Sequence, residues 1–290
     1  MKKQIYSLFS AVPVLLLVAY LLTAALNGPE TALVMRIPDA ENCLPVLLSL
    51  QIEADYEPEA VKAQAIIARS NLYRQIEEKG LFTVLGETGR KVSSSFVPFY
   101  FSISMKDWEC YEEAVTETEN MVLSYENELR LVPYHEMSSG TTRDGAEVLH
   151  SEEYSYLKSV DSSADKSAPD YLSTSYVAAR QMPKRLVIKS RDSAGYVTRL
   201  TADGASLEGE AFRQGMNLAS SNFKVQIIGT RYRFLCKGKG HGLGFSQYGG
   251  NAMAESGADC EEILKTYFPV MELVDVHNMM PRSAEQSVTS

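Results

Sequence analysis

Positive charge is what this 290-residue chain is short of: 28 Lys and Arg stand against 37 Asp and Glu, a net charge of −9. Nucleic-acid binding is dominated by Lys and Arg neutralising phosphates, and no basic cluster offsets the deficit, so nucleic acid is not an expected partner. Phosphate-cradling loops are missing too. Glycines recur at Gly238, Gly240, Gly242 and Gly244, a G-x-G-x-G-x-G spacing that is neither G-x-G-x-x-G nor G-x-x-x-x-G-K-[ST]. No C-x-x-C pair occurs among Cys43, Cys110, Cys236 and Cys260, and no Cys/His spacing suits zinc, so no metal or other cofactor is expected. A G-x-S-x-G nucleophile elbow is absent, which argues against a serine hydrolase. No internal repeat is present.

What is there is globular in character. Hydrophobic residues make up 45% and charged residues 22%, enough for one large domain or two small ones with a sizeable core. Met1-Lys2-Lys3 precedes a run from Ile5 to Leu26 that carries no charge. Such a run is long enough to span a bilayer, and the two lysines put its N-terminal end inside the cell. Cleavage of a signal peptide at Thr23-Ala24-Ala25 is the competing reading. Either way residues 28–290 lie outside the cytoplasm, where four cysteines permit three pairings.

Further along, Pro58 suits the first position of a helix, with Glu57 or Asp55 near its cap. Val61, Ala65, Ala68, Leu72 and Ile76 keep the helical period, and Gly80 is the stop. Lys62 and Gln64 stand out as polar positions in an alanine-rich run. Trp108 to Tyr125 reads as another helix, followed by a strand–turn–strand with Glu126-Asn127 at the turn. The Ser/Asp/Pro-rich stretch DSSADKSAPDYLSTS is expected to be an exposed, mobile loop. Arg185 to Leu235 is expected to be β-rich, with a hairpin turning at Ser193-Ala194-Gly195 and a short helix around Glu210–Asn217. A final helical stretch has Ala252, Met253, Ile263, Leu264 and Tyr267 as buried positions and Gly257 as a break.

The segment 236–250, CKGKGHGLGFSQYGG, is the centre of the sequence. Six of the 18 glycines fall between Gly238 and Gly250, around the polar residues His241, Ser246, Gln247 and Tyr248. That is the form of a ligand-facing loop docked on a helix. This segment resembles the signature of the SpoIID/LytB family, usually GxGxGHGVGMSQYGA and a helix ending in YYPG. Phe245 replaces the usual Met, Gly250 the usual Ala, and Val270 follows Pro269. Leu44-Pro45 through Glu59-Ala60-Val61-Lys62-Ala63-Gln64-Ala65 to Ala68-Arg69-Ser70 is similar to the family's L-P-G-V-L…E-A-L-K-A-Q-A-V-A-A-R-T. Residues 134–142, YHEMSSGTT, resemble its F-H-S-x-S-G-G-x-T, keeping His135, Ser138, Gly140 and Thr142. The stretch from Ser206 to Phe223 is similar to a fourth motif, so the resemblance covers about residues 42–275.

The resemblance implies an α+β fold: a single mixed domain over 42–275 with a glycan-binding groove. A transmembrane signal-anchor at 1–27 and a linker at 28–41 precede it, and a polar flexible tail at 276–290 follows. It implies lytic transglycosylase chemistry on denuded peptidoglycan strands during sporulation, in which one Glu protonates the leaving oxygen and the sugar's 6-hydroxyl forms a 1,6-anhydro end. The family's catalytic Glu falls here on Gln51, which has no proton to give; Glu53, two residues on, is the possible substitute acid. The substrate-binding positions are His135, Ser138, His241, Ser246, Gln247 and Tyr248. The zinc segment of many family members is absent, since no His precedes His135. Implied partners are the glycan strands, a cell-wall amidase and other sporulation membrane proteins. The alternative role is that of a non-catalytic glycan binder that enhances the amidase.

Overall fold

The computed structural model describes residues 40–81, 83–88 and 104–279. The run 5–26 expected to be a membrane anchor and the tail residues 281–290 lie outside these, and among the described residues no helix is long and apolar enough to cross a membrane.

Helix α1 (Leu44–Ser49) is short, with Pro45 in its first turn. Its end continues through Gln51 and Ile52, whose N–H groups donate to the Leu48 carbonyl at 2.9 and 3.1 Å. Helix α2 (Pro58–Lys79) starts on a proline, at a position where a helix needs no N–H, and closes at Gly80, where φ is +81°. Glu57 sits at the N-cap, as expected, but its side chain makes no capping bond; its N–H donates to Asn251 Oδ1 at 2.7 Å. Ala60, Val61, Ala63, Ala65, Ile66 and Ile67 are all fully buried. From 60 to 70 every residue but Lys62 is buried, so this stretch is a core segment, and its alanines let neighbouring backbones come close. Gln64, Arg69 and Ser70 are the buried polar exceptions, and the charged one is the guanidinium of Arg69. It donates to the Val115 and Thr118 carbonyls at 2.9 and 2.5 Å, at the C-terminal end of the next helix, where a cation suits the dipole.

That helix, α3 (Met105–Glu117), opens with a reciprocal Ser104–Asp107 capping box. It ends well before Tyr125, where the sequence pattern places its end, because the chain reverses at Asn120 with φ +64°. Met121–Ser124 is then strand β1, antiparallel to β10 (Glu272–Asp275). The Glu126-Asn127 turn forms as expected, both residues at positive φ, but the hairpin stops at one bridge, Tyr125–Glu128. The following strand β2 (Tyr134–His135) pairs in parallel with β9 (Phe245–Ser246).

After helix α4 (Gly145–Leu149), the stretch expected to be a mobile loop is ordered by burial. Ser163–Ser167 is a 3-10 turn with Asp165 fully buried, and Leu172–Ala178 is strand β3. Strands β4 (Leu186–Arg191), β5 (Val197–Ala202) and β6 (Ala205–Glu208) form one antiparallel sheet, with the expected turn at Gly195. Helix α5 (Gly209–Gly215) follows, then β7 (Phe223–Ile228) and β8 (Arg231–Lys237), which with β3 form a second sheet in the order β3-β8-β7. Both sheets are antiparallel and bury Val197, Leu200, Leu218 and the cluster Phe212, Phe223 and Phe234, whose ring centroids lie 5.6–5.9 Å apart.

A separate core lies around α2. Ile66, Ile67, Leu123, Val132, Tyr156 and Phe245 pack there against Ile263, Leu264 and Tyr267 of α7 (Cys260–Tyr267), which follows α6 (Gln247–Glu255) after Gly257. Val276, just past β10, is buried with Val122 and Leu129. The fold is mixed helix and sheet, and Cys43–Ser290 is one compact unit holding both cores. Cys110, Cys236 and Cys260 are free thiols.

Candidate functional site

The glycine-rich segment between β8 and α6 lies against residues 133–143. Met137 bridges Lys239, Arg143 bridges Leu243, and the Phe245 N–H donates to the Pro133 carbonyl at 3.0 Å. Side chains would prevent this approach: a Cβ at Gly240 (φ +109°) would stand 2.7 Å from His135 Cβ, and one at Gly244 (φ +68°) 2.1 Å from Pro133 O. Two departures from the family pattern also explain each other here. A Cβ at Gly250 would stand 2.3 and 2.5 Å from ring carbons of Phe245, so the large ring at 245 requires glycine at 250.

This packing leaves two adjoining clefts of about 460 and 550 Å³, and Gln51, Glu136 and Gln247 line both. Between them runs a chain of amides. Gln247, in the first turn of α6, donates through Nε2 to the Gln51 carbonyl at 2.7 Å and to Gln64 Oε1 at 3.1 Å. Gln64, fully buried on α2, donates through Nε2 to Gln51 Oε1 at 2.8 Å. With its oxygen taken as acceptor, Gln51 has its amide nitrogen free of protein partners among the described residues, as a donor at the cleft wall. A carboxylate at position 51 would accept the same bond from Gln64 and have its second oxygen free to carry a proton.

The smaller cleft is acidic and aromatic, lined by Glu53, Asp55, Asp107, Glu136, Tyr56 and Tyr111. Burial, then the Glu53 and Glu136 carboxylates, push the Tyr56 phenol up to about 12. Tyr111 donates to the Ile52 carbonyl at 2.8 Å and so fixes the turn that carries Gln51 and Glu53. The larger cleft is lined by Tyr134, His135, Ser173, Ser175, Asn217 and Lys239, and Lys239 pairs with Glu136 at 2.7 Å.

His135 is buried. Its Nδ1 lies 3.0 Å from the Leu243 carbonyl and therefore carries the proton, while Nε2 has no partner among the described residues. Burial, with His241 at a ring distance of 5.7 Å and Arg143 nearby, brings its pKa down to about 3, so it stays neutral. Burial also lowers His241, whose Nδ1 accepts from the Leu243 N–H at 3.1 Å.

Of the residues singled out in the sequence, Gln51, Glu53, His135 and Gln247 meet at the clefts. Ser138 and Ser246 do not line them: both are fully buried around Asp165. The Ser138 N–H donates to Asp165 Oδ2 at 2.7 Å and the Ser246 hydroxyl to the same carboxylate at 2.9 Å. Burial raises the Asp165 pKa, and these bonds oppose the rise. Tyr248 donates its N–H to the Glu136 carbonyl at 3.0 Å, and its hydroxyl stands 3.5 Å from Ser167 Oγ, outside both linings. Gln64 and Glu136 were not predicted as site residues. Gln64 had left a trace as a polar residue in an alanine-rich helix; Glu136 had left none.

A family described as "Stage II sporulation protein" (SpoIID) matches residues 30–125. Stage II sporulation protein D of Bacillus amyloliquefaciens is 29% identical over 276 residues, covering 86% of this chain and 78% of that protein. The protein of the same name from Bacillus subtilis (strain 168) is 30% identical over 258 residues, 81% of this chain and 74% of that protein. The amidase enhancer of Bacillus subtilis (strain 168) is 29% identical over 194 residues, 63% of this chain and 27% of its own length.

Proposed function

Because the chain belongs to the stage II sporulation protein D family, we propose that it serves peptidoglycan remodelling in sporulation by holding glycan strands in the paired clefts around Gln51. The run 5–26 anchors it, with residues 28–290 on the outer side of the membrane. One observation carries the reading of the site: the position of the family's acid is the end of an amide chain, with nitrogen and not oxygen left for a ligand. An amide donates a hydrogen bond to a sugar hydroxyl or acetamido oxygen but cannot protonate a leaving group. Losing a positioned general acid costs about 10²–10⁴-fold in rate. The cleft tyrosines add aromatic faces, which suit an uncharged sugar ring. The likeness to an amidase enhancer supports a role in which the bound strand is presented to an amidase.

A second reading, strand cleavage by Glu53, is favoured by the exposure of that carboxylate on the same wall, two residues from Gln51. Residues 43–290 incubated with denuded glycan strands, with products read by mass spectrometry, separate the two. Binding without anhydro-ended fragments, and fragments appearing only on Gln51→Glu, is the expected result. Fragments from the unsubstituted protein that vanish on Glu53→Gln would replace it with the cleavage reading.

A further inference from the structure

The sheet β3-β8-β7 has one face on a core and one face open, and the open face has a charge opposite to that of the chain. Along β8, Tyr232, Phe234 and Cys236 point inward, so Arg231, Arg233 and Lys237 share the outer face. Lys224 of β7 stands opposite Leu235 and joins them. The three strands, LSTSYVA, RYRFLCK and FKVQII, contain no acidic residue, although the chain has 37. Among the described residues none of the four cations forms an ion pair. Tyr176 opposite Arg233, Leu172 opposite Lys237 and Ile228 opposite Arg231 lie on the same face and are 54%, 56% and 49% exposed.

We infer that this face docks on an anionic lipid surface. Lys and Arg are drawn to anionic headgroups, and aliphatic and tyrosine side chains among them suit the interfacial layer. The rest of this acidic chain is repelled by such a surface, so the attraction also selects which side of the domain faces the bilayer. The reach agrees: after an anchor at 5–26, residues 27–39 extend at most about 45 Å before the first described residue. The inference draws on the anchored reading above, and its test omits the anchor so that the two can fail separately.

Residues 43–290, which carry both cores, are sedimented with phosphatidylcholine vesicles with and without phosphatidylglycerol. Salt-sensitive binding to the anionic vesicles alone is expected, weakened at least about tenfold by Lys224→Glu with Arg231→Glu. Lys106→Glu, on α3, leaves it unchanged. If the reversed pair misfolds, as judged by lost glycan binding, Lys224→Gln with Arg231→Gln takes its place, with a smaller loss expected. Equal binding to both vesicle types, no binding at low salt, binding insensitive to both pairs, or binding only to a soluble polyanion such as polyglutamate would each overturn the proposal.

Discussion

Ser246 and Gln247 are neighbours in one motif, yet they serve two different polar clusters. Ser246 turns into a closed, charged one: Asp165 takes the Ser246 hydroxyl and the Ser138 N–H, with no exposed atom among the three residues. Gln247 turns into a neutral one that opens on two clefts, the amide chain through Gln64 to Gln51. A short polar motif therefore contains both the residues that lock a loop in place and those that the lock holds out to a ligand. Burial tells them apart; residue type does not.

The comparison breaks most visibly at Asp165. Asp165→Ala strands the Ser246 hydroxyl and the Ser138 N–H without water, and about 2–4 kcal/mol of unfolding free energy should be lost, read as a lower denaturation midpoint in urea. Gln64→Leu should cost less stability but weaken glycan binding at least about tenfold, since it frees Gln51 to rotate. Equal stability losses at the two sites would erase the distinction.

Next in size is the packing beneath both clusters. Gly250→Ala should destabilise by about 1–3 kcal/mol through overpacking against Phe245. Adding Phe245→Met should recover most of that, and a double-mutant cycle of thermal or urea midpoints measures the coupling.

Acid sharpens the contrast further. The His135 pKa in the fold, about 3, lies below its ordinary value of 6.5, so the unfolded chain binds the proton first and stability falls as pH drops from 6.5 towards 3. The loss is at most about 1.4 kcal/mol per pH unit. Burial raises Asp165, so its contribution runs the other way, weakening as pH rises through the carboxylate range. His135→Gln should flatten the loss between pH 6.5 and 5, measured by urea midpoints at each pH.

The smallest stability effect belongs to Gln51→Glu. Gln64 donates equally well to a carboxylate, so the change should be within about 0.5 kcal/mol, while the chemistry at the cleft changes from hydrogen-bond donation to proton transfer.

Helix α2 was legible almost to the residue, because Pro58, Gly80 and the alanine-rich run are local signals. The hairpin at Gly195 was too. Tertiary contacts decided the rest. Residues 122–125 read both as the end of a helix and as the start of a strand–turn–strand, because local apolar spacing fits either period, and only the pairing with β10 selects strand. Ser/Asp-rich composition suggested a mobile loop at 161–175, where a buried Asp165 pins a turn. At the site, Gln51 and Gln247 were visible as motif positions, whereas the partner that links them, Gln64, became meaningful only once α2 was seen to lie beside both.

The contact between Phe245 and Gly250 constrains how sequences of this kind can change. From the family's usual Met–Ala pairing to the Phe–Gly pairing here, the two single steps are not equivalent. Removing the alanine methyl first leaves a small void, whereas enlarging the methionine to a ring first drives the ring into that methyl. The mutational route therefore has an order, glycine before phenylalanine, and the reverse route loses its ring before it regains its methyl.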